Sequence, residues 1–512
     1  MSKKVILIAF VVSLGGFLFG FDAGIISGVM SYAGPEFDLN DWQSGWVVSS
    51  PSFAAMISML IAGRLSDIIG RKRVLIVVAF LYAVSALLSA YAYSYEILYL
   101  ARMVGGVGFG AALVLAPTYI AEISSAKNRG KLVSLQQLNI VLGFFAAFLS
   151  NYYLNKINTS GSEFFTDKTV WRWMLGIEFI PAIFYFTFMF FVPQSPRWLY
   201  TKNMVAEAKE VLNRIYGAEI ASEEIRSIEN TSTKKDDTKV SLLSLLKPSL
   251  RFILLVGLVI GVLQQITGIN AVYFYATSIF KQTGIGTNAA FTSGVLLSFI
   301  TVLFTFVAIF LIDRMGRRPL LLIGIAGVSI SLLICAYGFN QASYELKTQD
   351  FEKMELAGMD AEQLSFAVGK VYDNDLDFKN EMKQELGTQL YAKNEGTILE
   401  YATNINANLI LFGILGFIAC FAFSLGPVMW VLLSELYPSK YRGLAIGVIG
   451  FVNSFTSWVV QQVFPWELSN FGNSLSFLIF GLTALGGFVV LLKILPETKG
   501  KSLEEIEAQY VK

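Results

Sequence analysis

A chain of 512 residues that is 54% hydrophobic and only 15% charged, with a mean hydropathy of +0.58, lacks the polar surface that a soluble protein of this length requires. The net charge of +1 leaves no electrostatic footprint for nucleic acid. With no histidine, the usual proton carrier and commonest metal ligand is absent, so any proton chemistry falls to carboxylates. Cys335 and Cys420 lie inside apolar runs and imply no disulfide scaffold.

Apolar stretches of about 20 residues, the length that crosses a hydrocarbon core, recur twelve times. They lie near 5–30, 44–65, 73–94, 98–120, 133–155 and 173–193, then 252–276, 290–312, 318–339, 407–432, 443–464 and 473–494. The first, behind Lys3 and Lys4, is too long for a signal peptide and lacks a small-residue cleavage site. The 2–3 connection carries Arg64, Arg71, Lys72 and Arg73, and the 8–9 connection carries Arg314, Arg317 and Arg318. The 1–2 connection has no basic residue, so the positive-inside rule places both termini in the cytoplasm. Between spans 6 and 7, residues 204–240 have a charged helical periodicity that suggests short cytoplasmic helices. Between spans 9 and 10, residues 340–405 form an outward insertion with 13 Asp or Glu against 6 Lys. That charge favours a solvated insertion over a helical lid or a partner-docking element.

The two halves repeat each other. Asp67 to Lys72 follows span 2 and Asp313 to Arg318 follows span 8, each with a central Gly-Arg. Glu122 precedes Arg129-Gly130 by seven residues, and Glu435 precedes Arg442-Gly443 by the same seven. Pro193-Gln-Ser closes span 6, and Pro496-Glu-Thr closes span 12. Such a register indicates a duplicated six-plus-six transporter. Basic residues alone would set topology. Carboxylates at fixed offsets point further, to an inner gate made of Asp67, Arg71, Glu122 and Arg129 with Asp313, Arg317, Glu435 and Arg442.

Asp22 lies about two thirds of the way along span 1, where a carboxylate costs at least a few kcal/mol. Arg102 in span 4 and Glu178 in span 6 fall at matching depth in the outer half. Either Asp22 and Arg102 form a permanent clamp, or protonation of Asp22 releases Arg102 and couples proton entry to a change of state. Neutral amides that both donate and accept suit a polar, hydroxylated solute. Span 5 offers Gln137, span 7 offers Gln264, Gln265 and Asn270, and span 11 offers Asn453, while Trp430 of span 10 supplies an aromatic face. Gln264, Gln265 and Asn270 share one face only where span 7 is bent or unwound near Gly268. Gly106-Val-Gly108-Phe-Gly110, part of a dinucleotide fingerprint in other settings, has no strand before it and reads as a helix-packing stripe. Asn158-Thr-Ser is a sequon usable only in a eukaryotic secretory pathway. No nucleophile with a base is legible, which argues against an enzyme.

With these motifs the chain resembles a sugar porter of the major facilitator superfamily. The carriers are Gly15 to Gly28, Gly63 to Arg71, Tyr119 to Gly130, Pro193 to Leu199, Gln264 to Asn270, Asp313 to Arg318, Gly426 to Trp430 and Pro496 to Gly500. The resemblance implies an all-α membrane protein with the major facilitator fold, twelve transmembrane helices as pseudo-symmetric halves. The N-terminal half would span 1–200, a cytoplasmic helical linker 201–250, and the C-terminal half 251–512 with its acidic extracytoplasmic insertion at 340–405. It implies proton coupling through Asp22, Arg102 and Glu178, since proton-coupled sugar porters resemble this chain in carrying Asp at position 22. It implies sugar binding by Gln137, Gln264, Gln265, Asn270, Trp430 and Asn453, with Phe19 beside the site and Thr301 at a position where many members have Asn. Ser454, Phe274 and Ala422 also depart from the family pattern, as do Ile68 and Gln194 at the inner side. The implied function is proton symport of a hexose or pentose by alternating access, against a facilitative uniporter or a non-transporting sugar sensor. No cofactor beyond the coupling proton is implied. The partners would be sugar, protons and lipid, without nucleic acid, in a monomer spanning a bacterial inner membrane.

Overall fold

The computed structural model describes residues 3–125, 128–161, 163–217, 221, 222, 225, 242–356, 359–438, 440–501, 505 and 509. Most of the expected cytoplasmic linker helices therefore lie outside the described residues, apart from a helix at Val205–Tyr216. Spans 1 to 5 are Lys3–Glu36, Asp41–Ile69, Arg71–Ala90, Tyr95–Ile123 and Arg129–Thr159; span 6 is Asp167–Phe191. Spans 7 to 10 are Pro248–Phe274, Gly286–Ile312, Arg317–Asn340 and Ala407–Leu436. The last continuous helix, Arg442–Ile494, is two spans joined at Gly472, whose φ of 72° interrupts the helical backbone. Twelve spans result among the described residues, and their helicity follows from the solvent. An apolar medium offers backbone amides no partner outside the helix.

Three spans are broken, and each break is local in cause. Span 6 pauses at Ile177 and Glu178 before Phe179–Phe191. Span 7 stops at Ile266 and restarts at Ile269 because Gly268 adopts φ 82°, a left-handed conformation that costs a side-chain-bearing residue about 1–2 kcal/mol. Span 10 breaks at Ser424, with φ −127° and ψ −94°, between Ala407–Phe423 and Leu425–Leu436.

The spans pack as two units, with residues 1–23, 50–147 and 172–239 in one, and 24–49, 148–171 and 240–512 in the other. In the first unit, an apolar core runs from Val5 and Leu18 through Tyr82, Phe109, Tyr119 and Tyr185 to Ile215. Close approach there rests on small residues. A Cβ at Gly106 or Gly110 would strike the backbone of Pro51 or Ala55 in span 2, which is what a packing stripe requires.

Both units cap a span in the same way at the repeated motifs. Glu497, in the Pro-Glu-Thr sequence, accepts the backbone N–H groups of Arg317 and Arg318 at 3.1 and 3.0 Å, together with those of Thr498 and Lys499. It thereby satisfies orphan donors at the start of span 9 and sits on the positive end of its dipole. In the first unit Gln194 accepts only Lys72 N, at 3.0 Å, at the start of span 3, and its own neighbour Ser195 N. Gly70 (φ 98°) and Gly316 (φ 93°) turn the chain into those spans and leave room for the capping head. Sequence motifs that close spans 6 and 12 are thus helix caps for spans 3 and 9.

In the second unit the ends of spans 1, 2 and 5 farthest from the termini are stitched to later spans. Ser27 Oγ meets Thr277 Oγ1 at 2.9 Å, Asn155 donates to Asn288 at 2.7 Å, and Ser49 donates to Gln462 at 2.7 Å. On this side the insertion is folded rather than merely solvated. Its strands β1 (Ser343–Glu345), β2 (Val371–Tyr372) and β3 (Thr403–Asn404) form an antiparallel sheet in the order β2-β1-β3. Tyr344, Met354, Phe378, Met382, Tyr391 and Leu399 enclose a core of its own, with Tyr344 stacked on Phe378. Buried Asp375 ties this small fold to the span 11–12 corner. One carboxylate oxygen accepts from Asn473 N at 3.1 Å, Asn473 Nδ2 at 2.8 Å and Lys379 Nζ at 3.1 Å. Helix Thr388–Ala402 adds a bond from Gln282 to Glu395 at 3.0 Å and one from Gln389 to Asp38 at 2.9 Å.

Two outcomes are expected. Asp375→Ala strands a buried ammonium and two amide donors, at about 1–3 kcal/mol for each group, and hydrogen exchange over 375–386 should accelerate while the spans stay protected. Unchanged exchange there would remove Asp375 as the anchor. Burial alone would raise the Glu497 carboxyl, but the four backbone N–H groups hold it below the ordinary 4.5. Its stabilisation is therefore complete above pH 4.5 and is lost as pH falls through the lower folded value. Glu497→Gln should lower the thermal midpoint in detergent at pH 7 and blunt its fall in acid.

Candidate functional site

Two polar clusters stand out within the apolar spans, one in each unit. In the first unit, Arg102 reaches Asp22 through two nearly parallel contacts, Nη1 to Oδ1 at 3.1 Å and Nη2 to Oδ2 at 3.4 Å. Arg102 is 2% exposed and Asp22 7%, so this is a buried forked pair, the geometry a guanidinium offers and an ammonium does not. Glu178, 4% exposed, sits at the break in span 6, close enough to Asp22 and Arg102 for their charges to act on it. Two carboxylates and one guanidinium thus share one enclosure. Fully ionised, they carry one negative charge in excess, which a single bound proton cancels.

In the second unit the break at Gly268 brings together residues that a straight helix would separate. Asn270 Nδ2 donates to Gln265 Oε1 at 2.8 Å and to Ser457 Oγ at 2.6 Å. Asn453 Nδ2 donates to Gln264 Oε1 at 2.9 Å, and Gln265 Nε2 donates to Asn453 Oδ1 at 3.2 Å. Gln264 Nε2 donates to the Leu425 carbonyl at 2.9 Å, just past the break in span 10. Gln461 extends the chain of bonds by donating to Ser457 at 2.7 Å. Beside it Tyr273 and Thr301 share a hydrogen bond of 2.7 Å.

The remaining expected residues are placed as follows. Gln264, Gln265, Asn270 and Asn453 form one network, with Thr301 paired separately to Tyr273. Trp430 is 42% exposed and outside that network, its ring 3.8 Å from where a Gly450 Cβ would stand. In the first unit Gln137 is half-buried, and Phe19 packs on Phe109 with ring centroids 4.8 Å apart. Of the gate residues, Arg71 pairs with Asp67 at 2.7 Å and Glu122 at 3.1 Å, and Arg317 pairs with Glu435 at 2.7 Å. Each pair lies inside its own unit. Arg129 and Arg442 donate to the carbonyls of Ala121 and Tyr437. The Asp313 side chain lies outside the described residues. Ser457, Gln461 and Tyr273 were missed in the sequence. Asn453, Ser457 and Gln461 recur at intervals of four, a polar stripe on one helical face that the spacing already contained.

The sequence matches the family model for sugar (and other) transporters over residues 8–351 and 387–510. It is 32% identical to an arabinose-proton symporter of Bacillus subtilis (strain 168), over 99% of this chain and 95% of that one. It is 31% identical to the glucose transporter GlcP of Staphylococcus epidermidis, over 99% and 97% of the two chains. Among solved structures it is similar to the inward-open xylose transporter XylE from E. coli, with a TM-score of 0.75, 27% identity and coverage of 99% of this chain and 100% of that one. The duplicated motifs, the twelve spans and these matches agree, and the chain belongs to the sugar transporter family of the major facilitator superfamily.

Proposed function

We propose that the protein is a proton-driven monosaccharide symporter that works by alternating access and carries a pentose or hexose. The observation that carries this reading is the enclosure of Asp22, Glu178 and Arg102. Removing two carboxylates and a guanidinium from water costs several kcal/mol per ion, which a plain helix clamp would avoid by using apolar residues. The excess negative charge gives the enclosure a use for one proton. Protonation of Asp22 removes the attraction that holds the Arg102 fork, so spans 1 and 4 lose their clamp and the unit is free to rearrange. The likeness to an arabinose-proton symporter supports the same reading.

The sugar would bind at Gln264, Gln265, Asn270 and Asn453, with Trp430 and Thr301 completing its surroundings. The amides satisfy one another in the structure, so an incoming sugar exchanges amide–amide bonds for amide–hydroxyl bonds. Such an exchange gives selectivity with modest affinity, which suits a carrier that must also release. On the far side, the bonds of Ser27, Asn155 and Ser49 to Thr277, Asn288 and Gln462 must open for a sugar to enter. The paired arginines at Glu122 and Glu435 serve as the inner gate. The orientation is that of a bacterial inner-membrane monomer with cytoplasmic termini, needing no cofactor.

Asp22→Asn keeps the size of the side chain and removes its titration. It should abolish uphill accumulation and leave sugar counterflow in proteoliposomes measurable; concentration against a gradient by this variant would reduce the pair to a clamp and favour uniport. Asn453→Ala leaves Gln264 and Gln265 short of a partner each, and sugar affinity should fall about tenfold, or 1.4 kcal/mol. Uptake of pentoses, hexoses and inositol by this variant and the parent identifies the substrate, and wild-type affinity for all of them moves the binding site elsewhere. Binding of sugar without counterflow by the reconstituted parent would point to a sensor.

A further inference from the structure

The amide network of the second unit has a direction, and the backbone sets it. A backbone carbonyl can only accept. Gln264 Nε2 donates to Leu425 O at 2.9 Å, and Asn453 Nδ2 donates to Gly261 O at 2.7 Å. Those two bonds fix which end of each amide is the nitrogen. Gln264 Oε1 then accepts from Asn453 Nδ2 at 2.9 Å, and Asn453 Oδ1 accepts from Gln265 Nε2 at 3.2 Å. Gln265 has its oxygen left to offer, and that oxygen accepts from Asn270 Nδ2 at 2.8 Å. Each amide is thus oriented by the one before it, back to the two carbonyls.

Asn270 ends the series. Its two N–H groups go to Gln265 Oε1 and, at 2.6 Å, to Ser457 Oγ, while its Oδ1 has no hydrogen bond among the described residues. Asn270 is half-buried, and this acceptor is what the network leaves on offer. Ser457 is the weak point of the arrangement, because a hydroxyl is a rotor that donates as readily as it accepts. Turned toward Asn270, its O–H would favour the opposite amide orientation, with nitrogen in place of the spare oxygen.

Gln461 opposes that rotation. It lies one helical turn further along span 11, is 0% exposed, and donates from Nε2 to Ser457 Oγ at 2.7 Å. With N–H groups from Asn270 and Gln461 on its oxygen, Ser457 has both lone pairs engaged, and its own O–H is directed away from them. Gln461 also reaches the far end of the same segment, where its carbonyl accepts from the Tyr275 hydroxyl at 3.1 Å. The short piece Ile269–Phe274, between the breaks at Gly268 and Tyr275, is therefore held at both ends by one turn of span 11. Leucine at 461 would fill nearly the same space without burying an amide.

Resting on the sugar site proposed above, we propose that Gln461, acting through Ser457, is a positioning residue that keeps Asn270 Oδ1 as the acceptor for one sugar hydroxyl. The site then reads that hydroxyl as a donor. It discriminates against a solute with hydrogen or fluorine at the same position, since neither C–H nor C–F donates in its place.

The test uses the full chain in proteoliposomes and reads counterflow of L-arabinose, D-xylose, D-glucose and myo-inositol. Competition by the monodeoxy and deoxyfluoro analogues of the carried solute then maps each hydroxyl. In the parent, one position should stand out, with both analogues binding about tenfold more weakly than the solute itself. Gln461→Leu and Ser457→Ala should each reduce that preference to about threefold or less, while preferences at the other positions persist. The parent's preference intact in Gln461→Leu, or parallel weakening at every position in both variants, overturns the positioning role and leaves the sugar site standing. Fluorine that restores at every position what hydrogen loses overturns the acceptor role of Asn270 in the same way. Wild-type affinity in Asn453→Ala, or a parent that carries none of the four solutes, defeats the sugar site and this inference together.

Discussion

The Arg102–Asp22 fork is the interaction on which the first unit's chemistry depends. In an apolar setting a lone carboxylate on span 1 is expensive, and a lone guanidinium on span 4 equally so. Together, with both oxygens and both terminal nitrogens engaged, each removes most of the other's cost. On the proposed reading the fork has two stable conditions: closed with the carboxylate ionised, or open with it protonated. A hydrophobic contact in the same position would have only one. Glu178, buried at the break in span 6, lies close enough for the charges of Asp22 and Arg102 to act on it.

Helix breaks place the rest. Polar side chains on a continuous span are spread around its circumference and along its length, and few can meet. The interruptions at Glu178, Gly268 and Ser424 change that by redirecting backbone and side chains within each unit. Beside the breaks, the Gln264 amide donates to the Leu425 carbonyl while its oxygen accepts from Asn453. The same backbone irregularity that an apolar solvent penalises becomes usable once side-chain amides satisfy it.

How far this was legible in the sequence depends on whether a residue's role is local. Gly268 announces a break because no side chain fits its conformation, and Asp22 announces a partner because charge in an apolar run demands one. The insertion was misjudged because its acidic surface dominates its composition. Its core residues, Tyr344, Phe378, Met382 and Leu399, are spread over several elements and only meet when folded. The family model likewise skips 352–386, the stretch that contains the Asp375 anchor. Ser457 and Gln461 were hidden for another reason: small polar residues in spans are commonplace, and only the bond of Ser457 to Asn270, extended by that of Gln461 to Ser457, distinguishes them.

Duplication gave both units the same scaffold, and their differences follow from what each must bind. The caps make the contrast plain. Glu497 is an ion fixed by four backbone N–H groups, whereas Gln194 is neutral and holds two, so span 9 starts from a firmer base than span 3. Charge and neutral polarity are also kept apart along the chain: the fork and its carboxylates belong to one unit, the amide network to the other. Carboxylates beside the amides would draw the same donors that a sugar needs, and the cost would appear as lost selectivity. On the proposed reading, separate clusters let the proton be held by Coulomb attraction and the sugar by directional hydrogen bonds, each in the geometry that suits it.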